Sequence, residues 1–199
     1  MENKIIYNVF SNEEIKDIYL AVDFKKDEIQ NQTFLGRTRL DYETNDFHLL
    51  PKSIIKKAND LINQFSDKDN RNYEFHYFMF VEYNNKFGIP SLGPHRDTTP
   101  FTGSLLCQIE SNKSWDLYVD GNPYTLIDNS ALLLNVRDQD HWRMPEEFKD
   151  GEYIKMLFLH YIDLNDIKEN ISTPEQLHEI NTRWSHITGY TPDQRTYDI

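Results

Sequence analysis

The chain has 199 residues, enough for one domain that buries roughly 70% of the surface its unfolded form exposes, so it needs no disulfide or metal staple to fold. Hydrophobic residues make up 38% and charged residues 27%, which excludes a disordered or fibrous chain. Thirty-three acidic against 21 basic side chains give a net charge of −12, which disfavours broad nucleic-acid binding and favours a neutral or cationic small-molecule or peptide substrate. The single cysteine, Cys107, permits no internal disulfide and reads as a small buried strand residue; with no signal-peptide layout and no apolar stretch of membrane-spanning length, the expected location is the cytoplasm.

A short strand is expected at Lys4 to Phe10. Ser11-Asn12-Glu13-Glu14 is a capping box, and a helix should follow to about Val22. Residues 24 to 50 are polar and irregular, with short strands near Thr38 to Tyr42. Pro51 suits the first turn of a second helix, in which Ile54, Ile55, Ala58, Leu61, Ile62 and Phe65 recur on one face.

From Tyr73 the texture changes to aromatic-rich strand. Tyr73 to Val81, Gly103 to Glu110, Trp115 to Val119, Tyr124 to Ile127, Ala131 to Val136 and Tyr153 to Tyr161 are strand candidates, and Asp120-Gly121 is a hairpin turn. Many short strands at this spacing predict a sandwich or barrel. Thr173-Pro174 opens a third predicted helix. The organisation expected is one domain: an N-terminal strand and supporting helices (1–72), a β core (73–163) and a helical extension (164–199). This is an α+β arrangement around an antiparallel core.

The chemistry centres on Gly93-Pro94-His95-Arg96-Asp97. In an extended segment His95 and Asp97 point to the same side and can offer an imidazole nitrogen and a carboxylate oxygen to one cation. A lone His-x-Asp is a weak signal, but His141 follows after a hairpin-rich β segment able to fold back on it. Two histidines and one carboxylate on one face of a metal leave open positions and suit iron(II) and oxygen chemistry, whereas structural zinc sites are closed or recruit thiolates. His160 is the competitor for the third position. Arg96 is equally a surface ion pair or a substrate gate. Trp115 and Trp142 read as packing residues, with Trp142 also placed to line the mouth.

The stretch from Phe80 to Asp163 resembles the catalytic core of the 2-oxoglutarate and iron(II)-dependent dioxygenases, especially the prolyl-hydroxylase-like and aspartyl/asparaginyl-hydroxylase-like branches. The resemblance implies a double-stranded β-helix (jelly roll, cupin-like) and metal ligands at His95, Asp97 and His141. It implies a basic residue in the last core strand for the far carboxylate of 2-oxoglutarate. Lys155 matches that position best and Arg143 is its rival; Tyr83 matches a tyrosine near the co-substrate. It further implies O2 as oxidant, release of succinate and CO2, and hydroxylation of an unactivated carbon of an amino-acid side chain, protein-bound or free. The alternatives are a non-catalytic cupin-like metal- or ligand-binding protein, or a zinc-dependent hydrolase or isomerase on a similar barrel; a fold alone does not choose among them.

Overall fold

The structure is a computed structural model that describes residues 3–42, 44–69, 71–97 and 101–163, with 44–45 and 65–69 described by backbone alone. The predicted helix at Thr173 and the rest of the C-terminal extension lie outside the described residues.

In chain order the strands are β1 (Lys4–Tyr7), β2 (Gln30–Gln32), β3 (Arg37–Tyr42), β4 (Tyr73–Asn84), β5 (Leu92–His95), β6 (Gly103–Ser111), β7 (Leu117–Val119), β8 (Asn122–Tyr124), β9 (Ser130–Leu134), β10 (His141–Arg143) and β11 (Tyr153–Asp163). Two helices precede β4: α1 (Asn12–Phe24) and α2 (Lys52–Asp69). The strands form two antiparallel sheets, a major one in the order β1-β9-β6-β11-β4-β3-β2 and a minor one in the order β5-β10-β7-β8. Three strands of the major sheet thus come from the segment before Tyr73, so the β unit begins well upstream of the expected boundary.

Local chemistry explains the helices. Ser11 Oγ accepts from the Glu14 amide at 3.2 Å, and Glu14 Oε2 accepts from the Ser11 amide at 2.8 Å, which satisfies two orphan donors of α1 reciprocally. In α2, Ile54, Ala58 and Ile62 recur at i, i+4 and i+8 and are fully buried against the major sheet. Each isoleucine contributes on the order of 1.5–3 kcal/mol by burial.

The alternation of each strand divides the core in two. Phe78, Phe80, Leu157, Leu159 and Tyr161 pack with both helices on the outer face of the major sheet. Val81, Tyr83, Leu106, Leu132, Met156 and Phe158 fill the space between the sheets with Trp115, Leu117 and Val119. The hairpin at Asp120-Gly121 forms with both residues at positive φ (48° and 85°), the twist a two-residue turn requires. Its second strand is Asn122–Tyr124, not Tyr124 to Ile127 as the sequence predicts. Pro123 is tolerated there because β8 is an edge strand.

One crossing holds the site together. Gly36, at φ 57°, lies so close to the chain entering β5 that a Cβ there would sit 2.3 Å from the Pro90 nitrogen. The Ser91 amide donates to Leu35 O at 3.1 Å and the Asn84 amide donates to Gly36 O at 3.2 Å. The start of β3, the end of β4 and the approach to β5 are thereby one fixed unit.

Candidate metal centre and anion site

β5 and β10 are antiparallel neighbours in which His95 and His141 are register partners. Asp97, two residues beyond His95, is tied down by its amide donating to Val136 O at 2.8 Å. Asp97 Oδ1 lies 3.4 Å from His95 Nε2 and 3.6 Å from His141 Nε2. One donor atom from each of the three residues lies within 4.8 Å of the others, a separation one cation can bridge.

The imidazoles are oriented by the backbone. His95 Nδ1 is 2.7 Å from Gly93 O and His141 Nδ1 is 3.2 Å from Gln139 O. A carbonyl can only accept, so each Nδ1 carries the proton and each Nε2 turns its lone pair to the centre. Burial, and then the neighbouring His95, push the His141 imidazole down to about 4 against the opposing pull of Asp97, which keeps it neutral and able to ligate. Burial raises the Asp97 carboxyl, but the surrounding imidazoles of His95, His141 and His160 outweigh it and hold Asp97 below the usual carboxylate range, so it is ionised. The donor set fits an iron(II) ion with open positions.

His160, the competitor for the third ligand position, stands beside this set on β11. Its Nδ1 is 3.6 Å from Asp97 Oδ2 and 2.6 Å from Ser104 Oγ. It faces the second carboxylate oxygen, while Oδ1 faces the other two histidines. Tyr77 stacks on its ring at 5.6 Å and Phe101 packs against it, tilted, at 4.8 Å.

Lys155, expected to meet the far carboxylate, does not reach the interior. It pairs with Glu82 and Glu110 in the sheet register, and its Nζ bonds Glu110 Oε2 at 3.0 Å between the rings of Tyr19 and Tyr153. It shares the outer face of β11 with Leu157 and Leu159. The inner positions of that strand are Ile154, Met156, Phe158 and His160, none of them a strong base.

Arg143 places a base on that inner face. Two residues beyond His141, it crosses the interior until its Nη2 lies 3.4 Å from Met156 Sδ, so its guanidinium occupies the inner face of the last strand from a different strand. It donates through Nη1 to Trp115 O, and its guanidinium lies 4.7 Å from the Trp115 ring centroid. It is only 2% exposed, yet no carboxylate forms an ion pair with it among the described residues. Burial pushes it down to about 10, with Tyr83 and Asp116 pulling the other way. Asp116 is itself engaged by Thr125 Oγ1 at 2.6 Å. A buried cation without a counter-charge is costly, which makes Arg143 a candidate anion site.

Tyr83, fully buried, packs edge-on against Trp115 at 5.1 Å and accepts a hydrogen bond from Arg37 Nη1 at 3.1 Å. Arg37 is a residue that sequence reasoning misses: it lies outside the stretch carrying the resemblance, and nothing in its surroundings signals it. Arg96 forms a surface ion pair with Asp140 at 2.8 Å, the plain reading of the two. Trp142 stacks on Tyr118 at 5.5 Å, on the face of β10 opposite His141.

No family model and no curated sequence matches the chain. Among solved structures it is similar to a prolyl hydroxylase from Trichoplax adhaerens, in complex with a hypoxia inducible factor oxygen degradation domain peptide fragment. That match has a TM-score of 0.61 and 11% identity over 85% of this chain and 87% of the other. HygX from Streptomyces hygroscopicus, with nickel and 2-oxoglutarate bound, matches with a TM-score of 0.59 and 9% identity over 81% and 83%. The non-heme alpha ketoglutarate dependent carbocyclase SnoK matches with a TM-score of 0.61 and 10% identity over 81% and 79%. The chain therefore has the fold of the 2-oxoglutarate and iron(II)-dependent oxygenases, a double-stranded β-helix. No described helix is long and apolar enough to cross a membrane.

Proposed function

We propose that this chain is an iron(II)- and 2-oxoglutarate-dependent oxygenase that hydroxylates an unactivated carbon of an amino-acid side chain, protein-bound or free, or of a similar small molecule. The observation that carries the reading is the coexistence, in one interior, of an open-sided His-Asp-His set and a buried guanidinium without a counter-charge. A mere metal binder has no need of the second feature.

In this reading His95, Asp97 and His141 hold the metal, with the two Nδ1–carbonyl bonds fixing the imidazoles. Iron(II) there supplies the redox chemistry that couples decarboxylation of 2-oxoglutarate to substrate oxidation. Arg143 binds the far carboxylate of the co-substrate, its planar fork suited to two parallel hydrogen bonds. Tyr83 donates to the same carboxylate. Leu106, Leu132, Met156 and Phe158 make this interior apolar and exclude water from it, which strengthens the charge–charge attraction. The peptide bound to the Trichoplax prolyl hydroxylase favours a peptide or small molecule as substrate, and the acidic charge of this chain favours a neutral or cationic one.

The test is aerobic incubation with iron(II) and 2-oxoglutarate, with and without a peptide and amino-acid panel, reading succinate. Succinate release that requires iron(II) and is lost in Asp97→Ala supports the proposal. Hydrolytic turnover with zinc and no 2-oxoglutarate would replace it with a different enzyme class.

A further inference from the structure

The environment of Arg37 is unusual for an arginine. It opens β3 directly opposite Tyr83, its register partner on β4, so the two side chains share the inner face of the sheet. It is only 6% exposed. Its Nε donates to Gln32 Oε1 at 2.6 Å and its Nη1 to the Tyr83 hydroxyl at 3.1 Å. No carboxylate forms an ion pair with it among the described residues. A chain with twelve more acidic than basic groups thus buries two arginines, Arg37 and Arg143, around one tyrosine and leaves both without an anionic partner among the described residues.

The tyrosine decides what this arrangement does. A phenol has one proton to give and accepts through its oxygen. With Arg37 occupying an acceptor direction and unable to accept in return, the Tyr83 proton must go elsewhere. No described residue accepts it, although the side chain is fully buried. An unused buried donor costs on the order of 1–3 kcal/mol.

We propose that Arg37 is a positioning residue for the co-substrate: it bonds the Tyr83 oxygen, turns the Tyr83 hydroxyl into an obligatory donor, and aims it at the far carboxylate held by Arg143. The inference rests on the proposed co-substrate reading and adds to it a residue supplied by β3. The Gly36 crossing fixes where β3 begins and so fixes the reach of the guanidinium.

The experiment uses the full chain loaded with manganese(II), which needs no turnover, and titrates 2-oxoglutarate by calorimetry. Arg37→Met should weaken 2-oxoglutarate binding about tenfold, the scale of one hydrogen bond to a charged group. Tyr83→Phe should weaken it similarly, and the double variant should be no weaker than Tyr83→Phe alone. Arg37→Lys should recover most of the loss. Affinity for manganese(II), and for 2-oxobutyrate, which lacks the far carboxylate, should be unchanged throughout. Should Arg37→Met fail to fold, Arg37→Gln completes the same cycle. An Arg37 effect that persists in full in the Tyr83→Phe background, or no effect at all, overturns the inference while leaving the co-substrate reading intact. A wild-type protein that binds manganese(II) but not 2-oxoglutarate overturns both.

Discussion

His95 and His141 face each other as register partners across β5 and β10, their ring centroids 4.2 Å apart. The sheet itself therefore sets the bite of the metal site. A one-residue slip of β10 would turn the second imidazole to the opposite face. His141→Ala should lower manganese(II) affinity by about 100-fold or more while the fold is retained, measured by calorimetry and far-UV circular dichroism.

Arg143→Met should separate stability from binding. The change removes a desolvated cation at similar side-chain volume and leaves one carbonyl, Trp115 O, without its donor. Uncompensated buried charge costs more than one orphaned carbonyl, so the ligand-free variant should be as stable as wild type or more so, by up to about 3 kcal/mol. Binding of 2-oxoglutarate should fall by about 100-fold or more, and the thermal shift that 2-oxoglutarate gives the wild type should vanish.

Lys155→Met should leave 2-oxoglutarate affinity within about twofold of wild type, because the side chain is on the helix side of β11. Its effect should appear in stability alone, and at the scale of a partly exposed ion pair, about 1 kcal/mol or less. A large loss of co-substrate affinity would mean that β11 has been assigned the wrong face.

Glu110 should govern part of the acid limb of stability. Hydrogen bonds from Tyr153 and Tyr19, and then Lys155, outweigh desolvation and hold its carboxyl down at about 2, below the ordinary glutamate value of 4.5. A depressed carboxyl contributes stability that is fully present above the unfolded value and is lost as pH falls through the folded one. The wild type should therefore lose stability between about pH 4.5 and pH 2 more steeply than Glu110→Gln. Urea titrations at a series of pH values measure the difference.

Gly36→Ala should destabilise the protein by about 3 kcal/mol or more. It combines a left-handed backbone with a methyl group placed against the Pro90 and Ile89 main chain, neither of which can rotate away. Chemical denaturation measures the loss, and the surviving folded fraction should bind 2-oxoglutarate more weakly, since both Arg37 and β5 depend on this crossing.

Much of the framework is legible in the residues. The capping box at Ser11, the one-face pattern of α2 and the aromatic run at Tyr73 each carry their own physical signature, and each forms an element. His95, Asp97 and His141 are readable as a candidate set because two histidines and a carboxylate at that spacing have few other uses, and the fold brings them together. Side-chain direction on β11 is not. The strand is buried on both faces, so its near-continuous apolar run conceals which alternate set looks inward. Chain position points to Lys155, whereas the inner face is occupied one residue earlier and one later.

The anion site is hidden for a second reason. Arg143 sits on a three-residue strand, too short for pattern to reveal, and reaches the expected location sideways. Arg37 comes from a polar stretch that reads as irregular because β2 and β3 are interrupted by single turns of 3-10 helix. Its significance depends on a missing counter-charge, which only three dimensions can expose.

The crossing at Gly36 has a consequence for how the molecule can be cut. Recombinant versions cut to start at Tyr73 would lose α1, α2 and the strands β1 to β3, which cover and extend the major sheet. They would surrender the guanidinium behind Tyr83 and the clasp that steadies the path into β5. Such fragments should fail to fold, so a minimal working unit must reach back to β1.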